Sequence, residues 1–310
     1  MRVVFMGTPD FAVPSLEKLI EAGHEVVGVV TQPDKARGRG GQVSFSPVKE
    51  CALAHEIEVF QPQRLKGHPE CTEKIASWHP DVIVVAAFGQ ILPKDVLDIP
   101  PYGCLNVHGS LLPKYRGAAP IQWAVINGEE KSGVTIMYMA EGLDTGDMIA
   151  KEEIALEKDE TGGSLFDKIK VLGADLLVRT LKDVEEGNAV RTPQNDAEST
   201  YASMLKKETG KIDFTKSAAE IERLIRGCNP WPTAYASFGN KTVKFWSADI
   251  CKEDTDALPG TVVAVDKDSF TVQTGDGGLK ILELQLEGKK RMDAGAFLRG
   301  TTVRVGDLLN

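Results

Sequence analysis

A chain of 310 residues with 42% hydrophobic and 26% charged side chains has an ordinary globular composition and enough length for two cores. No apolar run reaches the roughly 18 residues a membrane-spanning helix needs. The opening MRVVFMGTPDF lacks the long apolar segment and small-residue cleavage site of a signal peptide, so a soluble, cytoplasmic protein is expected. The net charge of −9 excludes a surface that is basic throughout; residues 207–310 hold 15 basic and 15 acidic side chains, so the surplus lies in 1–206 and any RNA must be gripped by local basic patches.

Arg2–Met6 is a short apolar run ended by Gly7 and reads as a strand. Phe11–Ala22 carries Leu16, Leu19 and Ile20 at helical spacing, with Gly23 as its stop. Val26–Val30 is a second β-branched run. Strand, helix and strand within about 30 residues open a right-handed βαβ unit with a parallel sheet. Val82–Ala87 is apolar without a break, as a strand covered on both faces must be. Cys104–His108 and Gly133–Met139 read as further strands, with a helix at Pro120–Asn127 between them. The clearest helix is Ser164–Glu186. It has Leu165, Ile169, Leu172, Leu176 and Val184 at helical spacing, Ser164 and Asp167 as a capping pair and Gly187 as the stop. Residues 188–206 are polar and aperiodic and read as a linker. A short helix follows, capped by Ser217 and Glu220 and ending near Gly227. Then come six strand-like runs: Ala234–Phe238, Thr242–Trp246, Thr261–Val265, Phe270–Thr274, Lys280–Leu286 and Thr302–Val305. Gly239-Asn240 and Asp276-Gly277 supply turns between them. Many short strands with regular turns suggest a small barrel. The expected fold class is α/β. A Rossmann-like, mostly parallel sheet spans 1–187, a linker 188–206, and a small OB-like β-barrel 207–310.

The five cysteines, Cys51, Cys71, Cys104, Cys228 and Cys251, are odd in number and include no Cys-x-x-Cys pair. That argues for reduced buried thiols rather than a disulfide framework or a zinc ribbon. Gly7-Thr8-Pro9-Asp10-Phe11-Ala12 follows the first strand, but it has a single Gly where a dinucleotide fingerprint needs three.

Asn106 and His108 alternate by two and so project from one face of a strand, at the C-terminal end where open α/β sheets bind ligands. An amide donor beside an imidazole can stabilise a developing oxyanion. Spacing alone leaves a structural histidine open as the alternative. Gly142-Leu-Asp144-Thr-Gly146-Asp147 follows the next apolar strand. Its Asp144 can face the same crevice and hold His108 charged or relay its proton, or it can be a plain turn residue.

Asn106, His108, the loop Ser110-Leu-Leu-Pro113-Lys-Tyr-Arg116-Gly117-Ala-Ala-Pro120 and the Asp144 loop together resemble the folate-dependent formyltransferase family. Further segments are similar to the members that act on a charged tRNA. These are the opening GTPDFAVPSL, Thr31-Gln-Pro-Asp34-Lys-Ala-Arg37-Gly-Arg39-Gly-Gly41, Ser46-Pro-Val-Lys49 and Ile225-Arg226-Gly-Cys-Asn229-Pro-Trp231-Pro232. The match covers nearly the whole chain. Thr233 stands where the family pattern has Gly, and Phe88 where it has Tyr. The resemblance implies the formyltransferase fold, 10-formyltetrahydrofolate as formyl donor, methionyl-initiator tRNA as acceptor, and no metal. It implies Asn106, protonated His108 and Asp144 as catalytic residues. Phe88, Gly89, Gln90, Ile91 and Leu92 would line the folate pocket with Ser110, Leu111, Leu112 and Pro113. Lys35, Arg37 and Arg39 would bind tRNA from a Gly-rich loop. A monomer with no obligate protein partner is expected. The competing readings are transfer to another amine, such as an amino sugar or glycinamide ribonucleotide, and an RNA-binding module on an inactive domain.

Overall fold

The structure, a computed structural model, describes residues 1–37, 42–252 and 255–310, with the backbone alone for 35–37, 42 and 43. β1 (Arg2–Gly7) leads through a 3-10 turn at Asp10–Ala12 into α1 (Val13–Glu21), which buries Leu16 and Leu19. β2 (Glu25–Val30), a hairpin of β3 (Lys35–Arg37) and β4 (Gln42–Ser44), α2 (Pro47–Ala54) and β5 (Val59–Phe60) follow. Next come α3 (Pro69–Ser77), β6 (Val82–Ala86), α4 (Lys94–Leu97), β7 (Cys104–His108), β8 (Arg116–Gly117) and α5 (Pro120–Ile126). β9 (Lys131–Tyr138), β10 (Met148–Ala155), the long α6 (Gly162–Glu185) and β11 (Tyr201–Ala202) continue the chain. The last elements are α7 (Ala218–Gly227), β12 (Ala234–Phe238), β13 (Lys241–Cys251), β14 (Val262–Val265), β15 (Phe270–Gln273), β16 (Gly278–Leu286), β17 (Met292–Asp293) and α8 (Ala294–Gly300).

Two compact units form, and neither is one stretch of chain. Residues 1–120, 132–154 and 166–202 make the first; 121–131, 155–165 and 203–310 make the second. The polar segment 188–206 is therefore divided, with 188–202 in the first unit.

The first unit is built on a seven-stranded sheet in the order β10-β9-β7-β6-β1-β2-β5. β5, β2, β1, β6 and β7 run parallel, and β9 runs antiparallel to β7. β1 and β6 lie at the centre, with Val3–Met6 and Val82–Ala86 buried, which is why these two strands read as unbroken apolar runs. The chain winds outward from β1 to β2 and β5, then returns to β6 and winds the other way. The winding reverses between β1 and β6, and the carboxyl ends of such a pair are the usual ligand position in open α/β sheets. Thr8 and Gln32 meet Phe88 there: Thr8 Oγ1 and Gln32 Nε2 each donate to the Phe88 carbonyl at 3.2 Å.

The second unit is an antiparallel sheet in the order β12-β13-β16-β15-β14, with β17 on β16. Leu309 bridges to Phe238 and Leu308 to Thr261, so the final residues tie the outer strands together and roll the sheet into a barrel. Phe245, Phe270, Ile281 and Leu284 fill it, and α7 adds Ile221 and Ile225. The Ser217/Glu220 capping box forms as its sequence indicates.

Two local expectations are corrected. Thr302–Val305 is not a strand. Residues 304–307 make a turn instead, with the Asp307 N–H donating to Arg304 O at 3.0 Å and the Arg304 N–H to Asp307 Oδ2 at 2.8 Å. α6 begins earlier than Ser164. The Thr161 N–H donates to Ser164 Oγ at 2.9 Å and the Ser164 N–H to Thr161 Oγ1 at 3.0 Å, so Thr161 caps the helix and Ser164 is the third residue within it.

Candidate active site

β7 is pinned on both sides, with Val85 of β6 beside Asn106 and Thr135 of β9 opposite His108. Strand alternation puts Cys104, Asn106 and His108 on one face. Cys104 stands at the amino end of the strand, in the core; burial pushes its thiol up to about 12, so it stays protonated and inert. Asn106 is half-buried, and its amide makes no hydrogen bond among the described residues.

His108 is only 5% exposed. Its Nε2 lies 2.9 Å from the Tyr115 carbonyl. A carbonyl can only accept, so Nε2 carries a proton. Nδ1 faces Asp144 Oδ2 at 3.7 Å, too far for a hydrogen bond. Nδ1 is therefore the ring nitrogen without a hydrogen bond, with the Asp144 carboxylate beside it.

Asp144 is held from several directions. Its Oδ2 accepts the Gly117 N–H at 2.8 Å. Its backbone carbonyl accepts from Gln194 Nε2 at 2.8 Å, and the same nitrogen reaches the Gly146 carbonyl at 2.7 Å. Gln194 Oε1 in turn accepts from Arg116 Nε and Nη2 at 3.0 and 2.9 Å. The Arg116–Gly117 strand pairs with Tyr201–Ala202 in parallel register. Only glycine fits at 117, where φ is +114° and a Cβ would stand 2.6 Å from the Ala202 carbonyl. Tyr115, Gly117, Arg116, Gln194 and Thr200 escape a reading of the sequence for reactive side chains. Most act through backbone atoms or by supporting another residue.

The nine residues assigned to folate divide by what their polar groups already do. Gln90 is committed to the scaffold, accepting the Leu65 N–H at 3.0 Å and donating to Pro62 O at 3.1 Å. The Phe88 and Leu92 side chains are buried in the core. The backbone groups of Gly89–Leu92 make no hydrogen bond among the described residues, and Ile91 is 71% exposed. Unpaired N–H and C=O groups in a row on one loop are a ready edge for a heterocycle. Ser110 and Leu112 bond within the unit. Ser110 O accepts from Thr135 Oγ1 at 2.7 Å, the Leu112 N–H donates to Thr135 Oγ1 at 3.1 Å, and Lys151 Nζ donates to Leu112 O. Leu111 and Pro113 are half-buried.

Residues 1–181 match the formyl transferase family, and residues 204–302 match the formyl transferase C-terminal domain. The chain belongs to the formyl transferase family. A methionyl-tRNA formyltransferase of Agathobacter rectalis is 59% identical over 306 residues, covering 99% of this chain and 98% of its own length. One from Clostridioides difficile is 53% identical over 309 residues and 100% of both chains. Among solved structures, an N-formyltransferase from Helicobacter canadensis in complex with folinic acid and dTDP-3-aminofucose is similar with a TM-score of 0.70, at 19% identity over 94% of this chain and 100% of that one. HypX from Aquifex aeolicus in complex with tetrahydrofolic acid gives 0.61, at 20% identity over 100% of this chain and 50% of its own. At these identities the two structures share a fold with this formyl transferase.

The basic segment assigned to RNA forms the hairpin in part: Lys35 pairs with Ser44 and Arg37 with Gln42. Arg39 lies outside the described residues. The hairpin's two feet are anchored by one cation. Lys49 Nζ donates to Asp34 Oδ2 at 2.5 Å and sits 3.9 Å above the Phe45 ring. Gln61 completes the anchor, accepting from Lys49 at 2.7 Å and donating to Asp34 Oδ1 at 2.9 Å. Hydrogen bonds from Lys49 and Gln61 hold the Asp34 carboxyl below the usual carboxylate range. Among the described residues no group of His, Cys, Asp and Glu could hold a metal ion, and no helix is long and apolar enough to cross a membrane.

Proposed function

We propose that this formyl transferase moves the formyl group of 10-formyltetrahydrofolate to the amino group of methionyl-initiator tRNA, giving N-formylmethionyl-tRNA for translation initiation in the cytoplasm. The end-to-end similarity to methionyl-tRNA formyltransferases supports this acceptor. The observation that carries the chemistry is His108, with Nε2 fixed by the Tyr115 carbonyl and Nδ1 free beside Asp144.

The methionyl amine attacks the formyl carbon; a C–N bond forms and the carbonyl π pair moves to oxygen. The unpaired Asn106 amide and protonated Nδ1 of His108 stabilise that oxyanion. Asp144 balances the imidazolium charge and helps carry the amine proton toward the folate nitrogen, which leaves as the carbonyl re-forms. The backbone edge of Gly89–Leu92 orients the folate, with Ser110–Pro113 shaping the opposite wall. Lys35, Arg37 and Arg39 meet phosphates. The region after residue 207 holds the tRNA through scattered lysines, since it carries no net charge.

The test is formyl transfer from 10-formyltetrahydrofolate to methionyl-tRNA, with uncharged tRNA as a control and a dTDP-linked amino sugar as rival acceptor. Transfer to the charged tRNA alone is expected. Faster transfer to the sugar would replace this reading with that of a sugar N-formyltransferase.

A further inference from the structure

We infer that Gln194, backed by Arg116, is a positioning residue that sets the Asp144 carboxylate against His108. The inference rests on the catalytic role proposed above for Asp144.

The Asp144 loop cannot hold itself. Glu141, Gly142, Leu143 and Thr145 are exposed, and Asp144 itself is only half-buried. A loop with so little apolar burial has low local stability. Asp144 also has a φ of +51°, in the left-handed region, which aspartate tolerates better than most non-glycine residues but which an exposed loop does not fix by itself. The constraint is visible. One Gln194 amide nitrogen captures two carbonyls, those of Asp144 and Gly146, at 2.8 and 2.7 Å. The amide orientation is not ambiguous, because Arg116 can only donate and the carbonyls can only accept. Arg116 is itself fixed by Asp196 at 2.7 Å, and its neighbour Gly117 donates to Asp144 Oδ2. Asp144 is thus gripped at its backbone by Gln194 and at its carboxylate by Gly117, and Arg116 links the two grips.

Gln194 is placed for this by its own segment. Thr192 and Met148 exchange N–H···O bonds at 2.9 and 2.8 Å, which fixes the chain two residues upstream. Pro193 stands between the bridge and the clamp. Downstream, the Thr200 hydroxyl accepts the Tyr115 N–H at 2.8 Å. Tyr115 is the residue whose carbonyl sets the His108 tautomer. The segment 192–202 therefore braces both partners of the His108–Asp144 pair.

The experiment is a double-mutant cycle between Gln194→Glu and Asp144→Asn in the full-length protein. Gln194→Glu keeps the shape but sets a carboxylate oxygen against two carbonyls. Gln194→Met, uncharged and of similar length, serves if the first variant folds poorly. Misplacement of a catalytic group by about 1 Å costs on the order of 100-fold, so kcat should fall about 10- to 100-fold with folate Kd nearly unchanged. The kcat–pH profile should shift in the same sense as for Asp144→Asn; a merely structural residue would lower the amplitude alone. In the Asp144→Asn background the same change should cost less than about threefold, because coupled residues are not additive. Equal losses in both backgrounds, or full activity of both Gln194 variants, would overturn the inference while leaving Asp144 in its role. A fully active Asp144→Asn protein would overturn both.

Discussion

Gly117→Ala tests whether the β8–β11 contact matters for chemistry more than for stability. An added Cβ would stand 2.6 Å from the Ala202 carbonyl and 2.8 Å from Tyr201 Cε2. A carbon–oxygen contact settles near about 3.3 Å, so the two strands must part by about 0.7 Å. Backbone strain at φ +114° adds about 1–3 kcal/mol if the conformation is kept. The protein has a cheaper way out, because the ladder is only two residues long. Opening it forfeits chiefly the bonds from Arg116 N–H to Thr200 O and from Ala118 N–H to Ala202 O, both 2.9 Å; the Ala119 N–H reaches the same Ala202 carbonyl only at 3.4 Å. At about 1 kcal/mol each, their loss limits the destabilisation to roughly 2 kcal/mol. That corresponds to a Tm decrease of roughly 4–8 °C for a cooperative unit of about 150–250 residues. The catalytic loss should be larger, because the Gly117 N–H leaves Asp144 Oδ2 and the Arg116 clamp loosens with it. We expect kcat to fall about 100-fold and folate binding to persist, measured by formyl transfer to methionyl-tRNA and by folate titration. A variant with normal kcat, whatever its Tm, would refute this account of how Asp144 is held.

His108→Ala should lower kcat by about 10²–10⁴-fold, the usual worth of a positioned acid–base and oxyanion group, in a protein that still folds but melts lower, since the buried Tyr115 carbonyl loses its donor; near-normal turnover would remove His108 from the chemistry. Arg39→Ala should raise KM for the tRNA and leave folate Kd alone, and weaker folate binding with unaltered tRNA kinetics would show the loop misassigned. Thr233 occupies φ +71° and donates its hydroxyl to Pro230 O at 2.9 Å. Thr233→Gly relieves the strained backbone and should be no more than about 1 kcal/mol less stable than the parent. Thr233→Val keeps the β-branch, loses the hydrogen bond and should melt lower than the Gly variant; the reverse order would show that packing, not backbone strain, governs this position. Lys49→Met should destabilise at neutral pH. Because the Asp34 carboxyl titrates lower in the folded than in the unfolded protein, its contribution is present above the ordinary carboxylate value and lost as pH falls through the depressed folded value. The Tm gap between Lys49→Met and its parent should therefore close in acid. A gap independent of pH would assign the effect to the Phe45 contact instead.

The central sheet is legible in the sequence for a physical reason. β1 and β6 are covered on both faces, so each must be apolar throughout, and Val82–Ala86 shows this without any alignment. Asn106 and His108 are legible because a polar pair at spacing two breaks such a pattern at a strand's carboxyl end. β10 is not legible. Met148–Ala155 is an outer strand whose burial alternates, and it carries Lys151, Glu152 and Glu153, charges that protect a sheet edge but read as loop. β13 runs on to Cys251 because its ladder with β16 continues past an irregularity at Trp246–Ala248, where the β pattern in the sequence stops.

The polar stretch 188–202 shows why the support of a site is harder to read than the site. Hydrophobic periodicity reports burial against a core, and this stretch is anchored by hydrogen bonds instead. Its partners are far off in sequence: Gln194 to Asp144 spans 50 residues and Tyr115 to Thr200 spans 85. No local pattern records such a pairing. The polar anchoring suits the proposed chemistry. If His108 Nδ1 meets the reacting group as proposed, the Asp144 loop beside it cannot be fixed by packing apolar side chains over it, which would close the approach. Hydrogen bonds from behind, to backbone carbonyls, hold the loop and leave its front open. A segment that supplies them needs donors and extended backbone, and a sequence rich in Thr, Gln, Asn, Ser and Pro provides both. The features that make 188–202 resemble a linker are the ones that let it brace Asp144 and Tyr115 without covering them.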